Sequence, residues 1–160
     1  MQHTPFSSAI WIAPSRPCAA PITVRRFSVV QVRHASLSVT GLGYYRVWLN
    51  GIALGADDWF QPPQSDYFRR DLTRATYSCH DRFTHRVYYR TYDITALVKN
   101  GENMLEIQCG GGFFVQTERT AEGDMTYSDR TQCIYVLAID AAHMVSDGSE
   151  TWRESNIRAS

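Results

Sequence analysis

No stretch of this chain carries the 3.6-residue period of an amphipathic helix, which excludes helical bundles and coiled coils. No apolar run approaches the roughly 20 residues that a membrane-crossing helix needs. Charge of one sign is missing too: 16 basic and 16 acidic residues cancel, which argues against the basic face of a broad nucleic-acid footprint. Cysteine is sparse and unpaired in sequence. Cys18, Cys79, Cys109 and Cys133 form no Cys-x-x-Cys pair, so the expectation is reduced thiols. The opening Met1-Gln2-His3-Thr4-Pro5 lacks the basic and apolar regions of a secretory leader, and a cytoplasmic location is the corresponding expectation. Gly110-Gly111-Gly112 lacks the Lys-Ser/Thr ending of a phosphate loop, and its glycines read as a bulge or a close backbone approach.

What is present is period two. In Ala35-Ser36-Leu37-Ser38-Val39-Thr40, apolar and hydroxyl residues alternate, which predicts a strand with one wet face. Tyr45, Val47 and Leu49 share one face of the next segment; Tyr44, Arg46 and Trp48 share the other. Asn50-Gly51 supplies two positive-φ positions and predicts a tight type I′ hairpin into Ile52-Ala53-Leu54. Further strands are predicted at residues 9–12, 22–30, 86–92, 104–109 and 133–139, the last apolar throughout and so covered on both faces. Asp93 is placed to cap a helical turn over residues 93–98, and Asp147-Gly148 reads as a last hairpin before Trp152. About eight strands with one short helical turn predict an all-β fold. It is an antiparallel β-sandwich or jelly roll of the galactose-binding-like kind, in a single domain over residues 1–160. At this length folding buries about two-thirds of the unfolded surface. The long connections 60–85 and 113–130 read as functional or mobile loops.

The order of segments resembles the N-terminal β-sandwich domain of bacterial α-L-rhamnosidases. The pieces that carry the resemblance are Trp11-Ile12, Val24-Arg25-Arg26-Phe27, residues 35–40, and Gly43-Tyr44-Tyr45 through Leu49-Asn50-Gly51. They continue with Ser65-Asp66-Tyr67, Tyr89-Arg90-Thr91-Tyr92-Asp93-Ile94-Thr95, Gly101-Glu102-Asn103 and residues 110–114. Three places depart from the family pattern: Gly112-Phe113-Phe114 for Gly-Trp-Tyr, an insertion over residues 71–85, and Pro62-Pro63-Gln64 for Pro-Gly-Trp. The resemblance implies a parent glycoside hydrolase that removes terminal α-L-rhamnose with inversion, its catalytic acid and base lying in an (α/α)6 barrel elsewhere in the polypeptide. It implies that some such sandwich domains hold rhamnose with calcium, while others brace the barrel. The implied partners are that barrel, other domains of the parent and rhamnosyl glycosides, with no nucleic acid or membrane. The tail at residues 147–152 resembles the family's passage out of the domain, so the expectation is a piece of a longer enzyme.

Sugars are held by flat rings against their C–H faces and by planar polar groups that take paired hydroxyls. The ring candidates are Trp48, Trp59, Phe113 and Phe114; the polar candidates are Asp57, Asp58, Asp66, Asn103 and Arg69. Packing competes with binding for Trp48 and both phenylalanines. Asp57 and Asp58 offer oxygen to calcium, but no spacing here resembles an EF-hand loop and adjacent acids are more often a solvated turn, so no cofactor is expected. Cys79, His80, Asp81 and His85 lack the second ligand pair of a structural zinc site and read as a polar loop. Glu118, Glu122 and Asp124 read as solvated loop charges, so no catalytic residue is assigned. Three functions fit: an accessory domain of a rhamnosidase, a stand-alone lectin-like module, and a purely structural interaction domain.

Overall fold

The computed structural model describes residues 4–55, 87–111, 114–115 and 128–155. These form nine strands: β1 Pro21–Val29, β2 Ala35–Leu42, β3 Tyr44–Leu49, β4 Ile52–Ala53, β5 Arg90–Asp93, β6 Gly101–Gly110, β7 Gln132–Ile139, β8 Ala142–Val145 and β9 Thr151–Glu154. They pair into a five-stranded sheet, ordered β4-β3-β6-β1-β9, and a four-stranded sheet, ordered β5-β2-β7-β8. Every strand pair is antiparallel, and the described residues contain no helix, so the fold is the expected all-β sandwich.

Period-two patterning explains which side chains meet between the sheets. Tyr45, Val47 and Leu49 of β3 stand beside Cys109, Ile107 and Leu105 of β6, and all six are buried. Ala35, Leu37 and Val39 of β2 face them with Tyr135, Leu137 and Ile139 of β7. Burying each large apolar side chain contributes about 1.5–3 kcal/mol. Tyr45 reaches the opposite sheet, its hydroxyl donating to the Val39 carbonyl at 3.3 Å. Cys133, beside Cys109 across the sandwich, has its thiol pKa pushed well up by the hydrogen bond it donates to Cys109 and by burial, so it stays protonated. Cys18, Cys109 and Cys133 are free thiols.

Two glycines make the connections possible. Gly43 (φ 98°) lets the chain step from one sheet to the other, and a Cβ there would lie 2.3 Å from the Gly110 carbonyl oxygen. Asn50 (φ 52°) and Gly51 (φ 81°) close β3 onto β4 as the predicted I′ turn. The turn after β5 also matches expectation: Asp93 accepts from the Thr95 backbone N–H at 3.0 Å, and Val98 N–H returns to the Ile94 carbonyl.

Several local expectations are corrected. Residues 9–12 form no strand; only Ile12 bridges to Cys133. The strand expected at 86–92 is the shorter β5, starting at Arg90. The hydroxyl face of β2 is covered rather than wet. Ser38 and Thr40 are buried, with Ser38 Oγ 2.9 Å from Thr91 Oγ1 and Thr40 Oγ1 donating to the Tyr88 carbonyl at 2.7 Å. Asp147-Gly148 is no hairpin, because β8 and β9 belong to different sheets. The hairpin lies earlier, at Asp140-Ala141, where Asp140 (φ 49°) accepts from the His34 N–H at 2.9 Å. That turn lacks the glycine that would have signalled it.

The crossover from β8 to β9 is tied to the core through Glu150. Its buried carboxylate accepts from the Tyr135 hydroxyl at 2.6 Å and the Gly148 N–H at 2.9 Å. Burial and that bond push the Tyr135 phenol pKa upward. Arg25 reaches Asp147 at 3.1 Å, and Asp147 also accepts from Ser149 N–H. These bonds hold the Asp147 carboxyl below its ordinary range, the Ser149 hydroxyl contributing most.

Candidate functional site

Asp57, Asp58, Trp59, Asp66, Arg69 and Phe113 lie outside the described residues, as do Cys79, His80, Asp81, His85, Glu118, Glu122 and Asp124. Three candidates can be placed. Phe114 is 3% exposed and serves packing.

Asn103 serves the fold, a correction to its reading as a sugar ligand. Its Oδ1 accepts from the Lys99 N–H and from Asn50 Nδ2, each at 2.8 Å. Its Nδ2 donates to the Lys99 carbonyl at 2.7 Å and the Gly101 carbonyl at 3.0 Å. An amide has two donors and two acceptor positions, and all four are used. Asn50 completes the clamp, donating to the Leu97 carbonyl and accepting from the Met104 N–H. Together they fasten the β3–β4 hairpin to the turn before β6.

Trp48 stands on the outer face of the five-stranded sheet. The register puts it opposite Glu106 of β6, with Arg46 opposite Gln108. On the next strand Ile22 pairs with Gln108 and, on its far side, with Arg153 of β9. Alternation therefore brings Trp48, Glu106, Gln108, Ile22 and Arg153 onto one surface across four strands. They line a groove of about 420 Å³ that opens beside Gly51. The Arg46 guanidinium carbon lies 5.1 Å from the Trp48 ring centroid, a cation–π contact that holds the indole in place.

The groove's polar groups are of two kinds. Glu106 is 9% exposed and accepts a hydrogen bond from the Arg153 guanidinium, so the two charges cancel. Gln108 is 3% exposed, yet among the described residues its side-chain amide makes no hydrogen bond. Its donor and acceptor face the groove that it lines.

Sequence reasoning placed Glu106 and Gln108 on a half-buried strand but not in a site. The readable signal was an aromatic, an acid and an amide at alternating positions of two strands; their convergence required the β3–β6 register. No three His, Cys, Asp or Glu side chains among the described residues are close enough together to hold a metal ion.

Comparison with known proteins bears on the whole sandwich. The alpha-L-rhamnosidase N-terminal domain family matches residues 78–160. An alpha-L-rhamnosidase of Formosa agariphila is 30% identical over 132 residues, covering 78% of this chain and 12% of that protein. The alpha-L-rhamnosidase structure of Aspergillus terreus superposes with a TM-score of 0.66 at 22% identity, covering 94% of this chain and 17% of that one. That of Streptomyces avermitilis, solved with L-rhamnose, gives 0.62 at 23% identity, over 86% of this chain and 12% of that one. The chain thus spans about an eighth of the curated relative's length.

Proposed function

The chain belongs to the α-L-rhamnosidase N-terminal domain family, and from that premise we propose that it is a non-catalytic accessory domain of an α-L-rhamnosidase-like glycoside hydrolase. In this reading it braces the parent's catalytic barrel and contacts rhamnosyl glycosides. The observation that carries the non-catalytic part is the state of Glu106. Inverting hydrolysis needs an acid and a base about 6.5–9.5 Å apart across the sugar. Among the described residues the groove presents one carboxylate, and that one is neutralised by Arg153. The acidic–aromatic run Asp57-Asp58-Trp59, with Asp66, belongs to the sugar-contacting part on chemical grounds.

The test is a turnover assay of the isolated chain on an aryl α-L-rhamnoside. No release of the aryl group is expected, and turnover above background overturns the non-catalytic assignment. Bracing is tested in a parent enzyme that contains this domain: deleting the domain is expected to lower the barrel's melting temperature, and an unchanged value counts against it.

A further inference from the structure

We propose that the outer-face groove between β3, β6, β1 and β9 is a carbohydrate subsite that takes one neutral pyranose unit. The proposal rests on the reading of the chain as a sugar-contacting accessory domain.

Gln108 makes the first half of the argument. Gln108 is 3% exposed and makes no side-chain hydrogen bond among the described residues, so its amide is left to water or to a ligand in the groove that it lines. Its donor and acceptor sit side by side on one planar group. That pair matches two vicinal hydroxyls, each of which both donates and accepts.

The lining makes the second half. Trp48 and Ile22 give an apolar surface, the indole fixed by Arg46, and a pyranose offers such a surface the C–H face of its ring. Glu106 and Arg153 neutralise each other, so an anion or a cation would have to break their bond in order to bind. A neutral polyol can instead bond to the pair from outside, through carboxylate lone pairs and guanidinium N–H groups that remain. A divalent cation is served poorly, since among the described residues the groove supplies one carboxylate and Arg153 already neutralises it. At about 420 Å³ the groove has the size of a small-molecule site, which typically runs to about 300–1,000 Å³. Gly51 leaves its entrance free: a Cβ there would meet nothing within 4 Å.

The experiment is calorimetric titration of the 160-residue chain with methyl α-L-rhamnoside, alongside W48A, Q108L and W59A. Saturable binding is expected, weakened roughly tenfold in Q108L, the equivalent of one lost hydrogen bond of about 1.4 kcal/mol. W48A is expected to weaken it at least as much. Q108L should keep or raise its melting temperature, so it carries the test if W48A fails to fold. Full affinity in Q108L overturns the groove; if W59A then abolishes binding, the accessory reading stands and only the groove assignment falls. No saturable binding by the unaltered chain overturns both the subsite and the sugar-contacting half of the proposed function, leaving the turnover and bracing tests to judge the remainder.

Discussion

Asn103 and Gln108 are the same functional group, equally buried at 3% exposure, five residues apart on β6. They sit on opposite faces of one strand, and their circumstances are opposite. Asn103 faces the sandwich edge, where the turn at residues 99–101 and Asn50 use every donor and acceptor it has. Gln108 faces outward into the groove that it lines with Trp48, Ile22 and Arg153, and its amide makes no hydrogen bond among the described residues. Burial alone therefore distinguishes nothing. Accounting for partners does: a satisfied amide is part of the fold, and an unsatisfied one is available to a ligand.

The comparison breaks most visibly at Asn103. N103A removes four hydrogen bonds and leaves the Lys99 N–H and carbonyl without partners; about 3 kcal/mol of stability should be lost. For a chain of this size that is about 6–12 °C in melting temperature, and a shift below 2 °C would contradict the clamp. On the outer face the effects should be far smaller. E106Q keeps the shape and loses the charge of the pair; because Arg153 is 55% exposed and screened by solvent, urea unfolding should register at most about 1 kcal/mol.

Titration sharpens the contrast, since neither amide ionises. Asp93 is a carboxylate turn-former: bonds from the Thr95 hydroxyl and N–H lower its pKa. A folded-state pKa below the unfolded value of about 3.9 means its contribution is fully present above that pH and is lost as pH falls through the folded value. D93N should accordingly differ from the unaltered chain near pH 6 and converge on it towards pH 2, as read by melting temperature. The smallest effect is expected at Gln108. Q108L, which removes an unpartnered amide and keeps the volume, should be neutral or slightly stabilising in urea unfolding. A loss of 2 kcal/mol or more would mean that Gln108 is structural after all and would erase the distinction from Asn103.

Much of the fold was legible because its signals are local. Alternation named the inward faces of β2, β3 and β6, and Asn50-Gly51 named its turn through the positive φ that both residues adopt. Errors arose where a local pattern met a distant neighbour. Residues 9–12 have strand composition but form only an isolated bridge, Ile12 to Cys133, with Ile10 bonding Ser146 just past β8. Ser38 and Thr40 look wet in sequence and are covered by pairing with β5 and the chain before it. Asp147-Gly148 has hairpin chemistry, yet the Glu150 and Arg25 bonds direct the chain into the other sheet. The site was less legible still. The residue type of Asn103 suggests a ligand, whereas the alternation of Glu106 and Gln108 with apolar neighbours suggests only one side of an ordinary strand.

The sequence by itself determined that this protein is a pair of antiparallel sheets, because side-chain alternation and turn chemistry act over two to four residues and need no knowledge of the rest of the chain. Only the tertiary structure decided which polar groups are spent and which are open. Hydrogen-bond satisfaction depends on partners brought from strands as far apart as β1 and β9, and that proximity exists only once the sheets have formed.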